Sequence, residues 1–294
     1  MDYIQYYKSC RLCAHACGVD RTRSLGRCLT DANAHVCRIG LHMWEEPIIS
    51  GTRGSGTVFF SGCSLRCVYC QNNEISRTPV GRIMSVEEIA DATLSLEASG
   101  AHNINFVTPT HVLPTVCAVI DRARQKGLSV PIVYNTSSYE NVDALKLLFG
   151  KVDVYLPDLK YYRSETAKKL SGAESYPHVA RAAIAEMVRQ APSVVIRDGI
   201  IRSGVVVRIL LLPGHVAEAK LNVKYLYDTY GDSIYISLMS QYTPQRDMPP
   251  PLDRRVTARE YCELVEYADR IGVSNAFIQE RSSSVKDYIP NFQI

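Results

Sequence analysis

The pattern of hydrophobic and polar positions changes near residue 50. Residues 1 to about 50 show no sustained hydrophobic period. From there on, short apolar runs typical of buried strands alternate with stretches of helical periodicity. The predicted strands lie at about 57–60, 104–107, 131–134, 152–156, 205–212, 234–238 and 276–278. This alternation predicts a parallel sheet with right-handed helical crossovers.

Local signals mark several of the connecting elements. Ser85 and Glu88 have the spacing of a capping box at the start of a helix. Asp198-Gly199 is a turn signal for a hairpin over 194–201. The predicted helices lie at about 85–99, 113–126, 141–148, 176–190, 216–230 and 258–271.

Together these elements predict an α/β chain in two parts. The first, 1–50, is a small cysteine-rich extension that binds a metal or a cluster, and the second, 51–294, is a partial (β/α)6 TIM-like barrel with a C-terminal tail. No Gly-rich dinucleotide fingerprint follows any predicted strand, which favours a barrel over a doubly wound nucleotide-binding sheet. In barrels the catalytic and binding residues follow the carboxyl ends of the strands. Those positions are therefore the candidates for chemistry.

Composition narrows the function classes. A formal charge of +3 gives no reason to expect a nucleic acid partner. The N-terminus lacks a signal peptide and no apolar run is long enough to span a membrane, so a cytoplasmic location without membrane attachment is expected. Of the ten cysteines, eight lie in the first seventy residues. In a reducing compartment such a concentration indicates metal or cluster ligation rather than disulfides.

Three of these cysteines follow the first predicted strand directly. Cys63, Cys67 and Cys70 place three thiolates within eight residues, so that one loop can wrap a cluster. Thiolates are the usual ligands of a 4Fe-4S cluster, and three of them leave one iron open for a substrate or cofactor. The alternative is a zinc knuckle completed elsewhere, but such knuckles usually pair two cysteines two or so residues apart. The spacing therefore favours a cluster.

The chain resembles the radical S-adenosylmethionine (SAM) superfamily. Within it, the sequence is similar to the pyruvate formate-lyase activating enzyme group and its uncharacterised relatives over about residues 51–245. The segments that carry the resemblance are Cys63-Ser64-Leu65-Arg66-Cys67-Val68-Tyr69-Cys70-Gln71-Asn72, Asp158-Leu159-Lys160, and Arg208 with Leu212-Pro213-Gly214.

The resemblance implies an oxidoreductase that binds a 4Fe-4S cluster on Cys63, Cys67 and Cys70. It implies that Tyr69 and Asn72 border SAM and that Asp158 and Lys160 contact the ribose or methionyl part. Arg208 is assigned a cofactor or substrate role on the same grounds. The reaction implied is reductive cleavage of SAM to a 5′-deoxyadenosyl radical, which abstracts hydrogen from a substrate.

Three strand ends depart from the family pattern. Thr108 and Thr110 stand where many members have a Gly-Gly-Glu-type turn that receives the methionine amino group. Asn135 replaces an aspartate that helps to bind a monovalent cation in the activating enzymes, with Thr136 matching. Gln241 replaces a histidine that contacts the cofactor. We expect these five residues to line the cofactor site.

A second group of cysteines precedes the barrel. Cys10, Cys13, Cys17 and Cys28 follow a C-x2-C-x3-C-x10-C spacing, and His35 and Cys37 lie close by in sequence as further donors. Four thiolates complete either a structural zinc site or another 4Fe-4S cluster, and a cluster could pass electrons to the first one. The spacing leaves both alternatives open, with unligated cysteines as a third.

Four weaker candidates are polar residues near strand ends. His111 and His215 could take part in acid-base chemistry. The alternative interpretation is that each is a solvated loop histidine. Tyr242 and Glu280 could line a substrate cavity, with packing or surface exposure as the alternative.

Several functions fit these patterns. The expected partners are an external one-electron donor such as flavodoxin or ferredoxin and a small-molecule or peptide substrate. An activase that installs a glycyl radical on a partner enzyme is a further alternative. The N-terminal position of the extra cysteines, rather than an insertion after the cluster motif, argues against activation. From other classes, a two-cluster electron carrier and a zinc-stapled nucleic-acid-binding module are also considered.

Overall fold

The computed structural model describes residues 3–244 and 248–279. Within them the strands are β1 Ala34–His42, β2 Ser55–Phe60, β3 Arg82–Met84, β4 Ile104–Val107, β5 Ile132–Thr136, β6 Val154–Pro157, β7 Val195–Arg197, β8 Ile200–Leu210, β9 Tyr235–Met239 and β10 Ala276–Ile278. The α-helices are α1 Gln5–Lys8, α2 Pro47–Ser50, α3 Asn73–Ser76, α4 Val86–Ala98, α5 Leu113–Gln125, α6 Val142–Leu145, α7 Ser164–Ser171, α8 Tyr176–Gln190, α9 Val216–Tyr230 and α10 Ala258–Arg270.

The described strands form one open sheet. Their order is β10-β9-β8-β6-β5-β4-β2-β1-β3, with β7 paired to β8. The pairs from β2 through β4, β5, β6, β8 and β9 to β10 are all parallel. Because β10 and β3 are the two edges, the sheet does not close, and the predicted partial (β/α)6 barrel is confirmed. At the β3 edge, β1 runs antiparallel to β2.

The two faces of the sheet bury different partners, because successive strand residues point to opposite sides. Ile132 and Tyr134 of β5 face outward and join the large core that contains the crossover helices. Val133, between them, faces inward and packs with Ile48 and Ile49 of α2. The short helix α2 is therefore an apolar plug against the inner face of the sheet.

A polar layer lies above this plug, toward the carboxyl ends of the strands. Asn135 follows the inward-facing Val133 by two residues, and Arg208 follows the inward-facing Val206 by two residues. Such layering of inward side chains is the normal construction of a parallel barrel. Here it changes from apolar to charged at the end where function is expected.

Most predicted elements agree with the structure to within a few residues. Helices α8 and α9 have the predicted bounds, and α4 begins with the predicted capping box. The hairpin turn places Asp198 and Gly199 at φ 53° and 75°, as a two-residue turn between twisted strands requires. The sequence analysis did not predict the helices α1, α2, α3 and α7, the nine-residue strand β1 or the short strand β3.

Strand β1 lies inside the segment expected to be a separate extension. It contributes residues 34–42 to the same sheet as the strands of residues 51–294, while the division at residue 50 stays a prediction. Among the described residues, no helix combines the length and apolar character needed to cross a membrane.

Candidate active site

The loop after β2 brings three thiols to the carboxyl edge of the sheet. Its first turn depends on Gly62, whose φ is 83° and where a Cβ atom would lie 2.4 Å from Cγ2 of Thr30. Leu65 directs its backbone N–H to the Cys63 sulfur at 3.4 Å, and Arg66, at φ 50°, reverses the chain before Cys67. The loop is thus folded back over its own sulfurs.

Burial dominates the chemistry of these thiols. Cys63 and Cys67 are buried and Cys70 is half-buried. Burial raises the pKa of Cys63 to about 12, and the charges of Cys70 and Cys67 act in the same direction. Burial also raises the pKa of Cys70, with Cys67 adding to it. Thiolates at these positions therefore require a bound cation to compensate them.

A charged network occupies the neighbouring strand ends. Arg208 Nε donates to Oδ1 of Asp158 at 2.8 Å, and Arg208 Nη2 donates to Oδ1 of Asn135 at 2.6 Å. Lys160 Nζ donates to the other oxygen of Asp158 at 2.6 Å. Glu45 accepts from Arg208 Nη1 at 3.3 Å and from Asn135 Nδ2 at 3.1 Å. Four of these five residues were predicted, and the structure joins them into one cluster.

Mutual charge keeps Asp158 and Lys160 ionised. Burial opposes ionisation of Asp158, but the charges of Arg208 and Lys160 outweigh it and hold the pKa of the carboxyl below its ordinary value. The pKa of Lys160 is likewise raised by Asp158 against the effect of burial. At Glu45 burial wins, and the pKa of its carboxyl is raised despite Arg208.

Glu45 and Glu46 were missed by the sequence analysis. Both precede the plug helix α2, in a segment without strand or helix periodicity, so no local pattern indicated that they face the barrel interior. Glu46 is 7% exposed, and its Oε2 atom has no hydrogen-bond partner. The Glu-Glu pair before Pro47 is the signal that could have suggested a helix start with acidic groups.

The remaining predicted cofactor residues lie at two places on the same edge. Tyr69 is buried, with ring contacts to Tyr161 and Tyr242 at centroid distances of 6.3 and 6.2 Å. Asn72 is half-buried at the start of α3, and its neighbour Gln71 donates to the carbonyl of Gln241 at 2.9 Å. Tyr69, Asn72 and Gln241 thus surround the cysteine loop.

The threonines at the β4 and β5 ends face a buried carboxylate instead. Thr110 and Thr136 donate their hydroxyl hydrogens to Oε1 of Glu140 at 2.7 and 2.5 Å, and the Tyr134 hydroxyl adds a third bond at 3.2 Å. Burial raises the pKa of Glu140 to about 7 despite these donors. Thr108 is half-buried with a left-handed φ of 57°, a strained conformation that is common at functional sites.

Residues 57–221 match the sequence profile of the Radical SAM superfamily. The chain belongs to this superfamily. An uncharacterized protein of Methanocaldococcus jannaschii is 26% identical over 275 residues, which cover 90% of this chain and 75% of that protein. Its description gives no activity to compare.

Solved structures agree on the radical SAM fold. A radical SAM methyltransferase from Sphaerobacter thermophilus aligns with a TM-score of 0.56 and 16% identity, over 81% of this chain and 70% of that one. Streptococcus suis SuiB bound to S-adenosylmethionine aligns with a TM-score of 0.52 and 9% identity, over 74% of this chain and 48% of that one. At these identities the likeness concerns the fold.

The donor set at the β2 loop fits the cluster that radical SAM proteins use. Cys63, Cys67 and Cys70 are soft thiol donors, and at least one backbone N–H points at a sulfur, as is typical around iron-sulfur clusters. Among residues 3–244 and 248–279, no three His, Cys, Asp or Glu side chains are arranged to hold a single metal ion. A 4Fe-4S cluster does not require its thiolates to converge on a single ion, because each thiolate binds a separate iron.

The other cysteine group lies against this radical SAM loop. Cys13 forms an isolated bridge with Glu140, so that the segment around it pairs with the chain just after β5. Cys10 and Cys28 are buried, Cys13 is half-buried and Cys17 is exposed. Cys37 instead packs with Phe59 on β2, and His35 pairs with Asp31 at 3.0 Å.

Of the weaker candidates, His111 differs most from expectation. It was expected to be solvated, but it is 2% exposed and its Nε2 atom lies 2.7 Å from the Ser61 carbonyl oxygen. Burial lowers its pKa to about 3, so the ring is neutral.

His215 is half-buried beside Glu218 at 3.5 Å. Tyr242 is fully buried, and Glu280 lies outside the described residues.

Proposed function

We propose that this chain is a radical SAM enzyme that abstracts hydrogen from a small-molecule or peptide substrate. The observation that carries the proposal is the meeting, at one edge of the sheet, of three thiols on the β2 loop and the Arg208, Asp158 and Lys160 cluster. When bound, a reduced 4Fe-4S cluster supplies the electron that cleaves SAM into methionine and a 5′-deoxyadenosyl radical.

The roles of the charged side chains follow from their positions. Asp158 presents carboxylate oxygens that can accept hydrogen bonds from ribose hydroxyls, and Lys160 presents an ammonium group that can pair with the methionine carboxylate. Arg208 keeps Asp158 ionised and fixes its direction through a 2.8 Å bond. Glu45 anchors Arg208 from the opposite side. These residues orient SAM, and the thiols hold the metal.

The surroundings suit chemistry that must exclude water. Tyr69, Tyr161 and Tyr242 are each buried and in ring contact around the cysteine loop. Below them the Ile48 and Ile49 plug closes the inner face of the sheet. Buried side chains of this kind limit the access of water to a reactive intermediate.

The resemblance to pyruvate formate-lyase activating enzymes supports a second candidate, activation of a glycyl-radical enzyme. Such a reaction needs a mouth that admits a polypeptide loop. Here the N-terminal segment lies along the β5 end of the mouth, where Ala14 donates to the Tyr139 carbonyl at 3.5 Å and Asn141 donates to the Leu12 carbonyl at 3.2 Å. This cover favours a smaller substrate over an inserted loop.

Product analysis after anaerobic reconstitution with iron and sulfide tests the proposal. With dithionite as reductant we expect the wild type to convert SAM to 5′-deoxyadenosine and methionine. A Cys63/Cys67/Cys70→Ala variant should form neither product. The matched control is Cys262→Ala, an exposed cysteine on α10, which should leave cleavage intact. Cleavage of SAM by the triple variant would reject the assignment.

A further inference from the structure

The four N-terminal cysteines lie close to one another, three of them buried or half-buried and Cys17 exposed. Cys13 lies close enough to Cys10 and Cys28 for their charges to interact. Cys17 Sγ donates to the Cys10 carbonyl oxygen at 3.9 Å. A Cβ atom on Gly26 would lie 3.2 Å from the Cys28 sulfur, so the chain passes close to that sulfur. These contacts are those of a folded thiol site.

Arg21 supplies a buried positive charge to this site. Its side chain is fully buried. The Nη1 atom lies 3.7 Å from the Cys10 sulfur, and the charges of both Cys28 and Cys10 act on the guanidinium. Its other described hydrogen bonds go to neutral oxygens, the carbonyls of Thr30, Asp31 and His111 and the Thr30 hydroxyl.

Such an arrangement requires negative charge nearby. A buried cation without a counter-ion is strongly unfavourable, and none of these partners of Arg21 is a carboxylate. A centre held by four thiolates carries net negative charge, and Cys10 and Cys28 place it beside the guanidinium. The pairing of Arg21 with cysteines therefore indicates thiolate ligation.

The backbone around these cysteines repeats a feature of the β2 loop. Ala16 precedes Cys17 with a φ of 41°, and Leu29 follows Cys28 with a φ of 65°. In the β2 loop, Arg66 precedes Cys67 with a φ of 50°. Left-handed backbone is costly for residues with side chains, and here it occurs beside cysteines in both groups. Both segments bend sharply beside a cysteine.

The two groups are in direct contact. A Cβ atom on Gly62, the neighbour of Cys63, would lie 3.0 Å from the Cys28 carbonyl oxygen. His15 Nε2 lies 2.9 Å from the carbonyl oxygen of Ser64, the other neighbour of Cys63. The chain beside one set of thiols is therefore packed against the chain beside the other.

From these contacts we propose that Cys10, Cys13, Cys17 and Cys28 hold a second 4Fe-4S cluster that passes electrons to the first. A structural zinc ion would stabilise the N-terminal segment whether or not that segment lay beside the β2 loop. An electron relay, in contrast, requires the two cysteine groups to be close together. In each transfer an external donor loses one electron and the second cluster gains it. The second cluster then gives that electron to the first and returns to its oxidised state. The relay role, unlike the ligation itself, rests on the proposed SAM chemistry.

The surface of the segment fits an acidic electron carrier as donor. Cys17 is exposed, and exposed basic side chains occur on both sides of it in the chain, at Lys8, Arg11, Arg23 and Arg27. The described acidic residues of the same segment, Asp20 and Asp31, are each half-buried. A positive surface of this kind attracts a negatively charged partner and makes association dependent on salt.

Metal analysis tests the second cluster without reference to activity. After anaerobic reconstitution we expect about eight iron atoms per wild-type chain, as two 4Fe-4S clusters require. The Cys63/Cys67/Cys70→Ala variant should keep about four, with a reduced-state EPR spectrum that does not change on addition of SAM. One zinc ion per wild-type chain, or a triple variant without iron, would overturn the proposal.

Comparing two reductants tests the relay. Cys17→Ser alters the exposed ligand and should lose more of the SAM cleavage driven by reduced flavodoxin than of that driven by dithionite, which reaches buried centres as a small molecule. Cys262→Ser is the control and should change neither rate. Equal losses with both reductants would reject the relay.

The outcomes separate the two proposals. Iron retained by the triple variant, in the absence of SAM cleavage by the wild type, would reject the enzymatic proposal and support the second cluster. Cleavage of SAM by the wild type, with no iron on the triple variant, would support the enzymatic proposal and reject the second cluster.

Discussion

The two cysteine groups reach the same edge of the sheet by different means. Cys63, Cys67 and Cys70 follow directly from β2, whose hydrogen bonds to β1 and β4 fix where the loop begins. The segment that carries Cys10 and Cys28 runs between α1 and β1 through turns and single hydrogen bonds. One group is positioned by regular backbone pairing, whereas the other depends on individual side chains.

This difference indicates where each site is vulnerable. A loop held at the end of a central strand is supported by many small contributions, so that no single contact outside the thiols decides its position. The N-terminal segment depends heavily on Arg21, which bridges Cys10, Thr30 and His111. Substitutions around the two groups should therefore differ in their cost.

The largest effect is expected from Arg21→Gln. The change removes a fully buried cation from beside the thiolates, and the loss of one partner of a buried charge pair costs about 4 to 5 kcal/mol when neither group reaches water. The measurement is the free energy of unfolding of the iron-loaded protein in denaturant. After chelation of the metal the penalty should shrink, because protonated thiols no longer need the cation.

Arg23→Gln is the matched control for this prediction. Arg23 lies two residues away with its side chain 86% exposed, and its substitution should change stability by less than about 0.5 kcal/mol. A penalty at Arg21 that is the same with and without metal would show that the guanidinium serves only its carbonyl partners. The two cysteine groups would then not differ in their dependence on a buried charge.

A smaller effect is expected from Arg208→Gln in the other region. Asp158 and Glu45 would lose their shared cation, which costs about 3 kcal/mol, the lower end for a buried pair, because Lys160 still pairs with Asp158. Thermal and denaturant unfolding report the loss. The Arg208→Gln and Glu45→Gln double variant should recover much of it, since it removes the carboxyl that has lost its cation, while Asp158 keeps Lys160.

The control for Arg208 is Arg259→Gln, an exposed position on α10. Its effect should stay within about 0.5 kcal/mol. If the double variant were less stable than Arg208→Gln alone by the full cost of Glu45→Gln, Arg208 and Glu45 would not be coupled. The charged network would then be a set of independent contacts.

The sequence predicted the regular region better than the irregular one, for a physical reason. Periodicity reports which face of a strand or helix is buried, so α8 and α9 were placed with their observed bounds. The same logic identified Asp158 as a strand-end residue, whereas Arg208, inside its strand, was singled out by the family resemblance. What periodicity cannot report is a contact made by a segment without a period. Glu45 and Arg21 were missed on that account.

The threonines at the β4 and β5 ends show a related limit. Thr110 and Thr136 were expected to face a cofactor because they end parallel strands. In the structure their hydroxyl groups donate to Glu140, a carboxylate in the following loop that carries no sequence signal of its own. The position of a residue at a strand end is predictable, but the partner of its hydroxyl group depends on loops whose course the pattern does not specify.

The smallest effect is expected where the two regions touch. His15→Ala removes the 2.9 Å contact with the Ser64 carbonyl and an edge-to-face ring contact with Tyr139 at 4.9 Å. Each is worth about 0.5 to 1.5 kcal/mol, so a loss of about 1 to 2 kcal/mol in the free energy of unfolding is expected. His178→Ala, at an exposed position on α8, is the control and should be nearly neutral.

The His15→Ala variant also tests how the two cysteine groups are joined, because it weakens their contact without altering a thiol. Iron content should stay at the wild-type value, since both sets of cysteines remain. If His15→Ala removed iron from the N-terminal group alone, the histidine would be part of that site rather than a bridge between the two. If it left stability unchanged, the regions would be held together chiefly by the backbone contact between Cys28 and Gly62 and by the His111 bridge from Arg21 to Ser61.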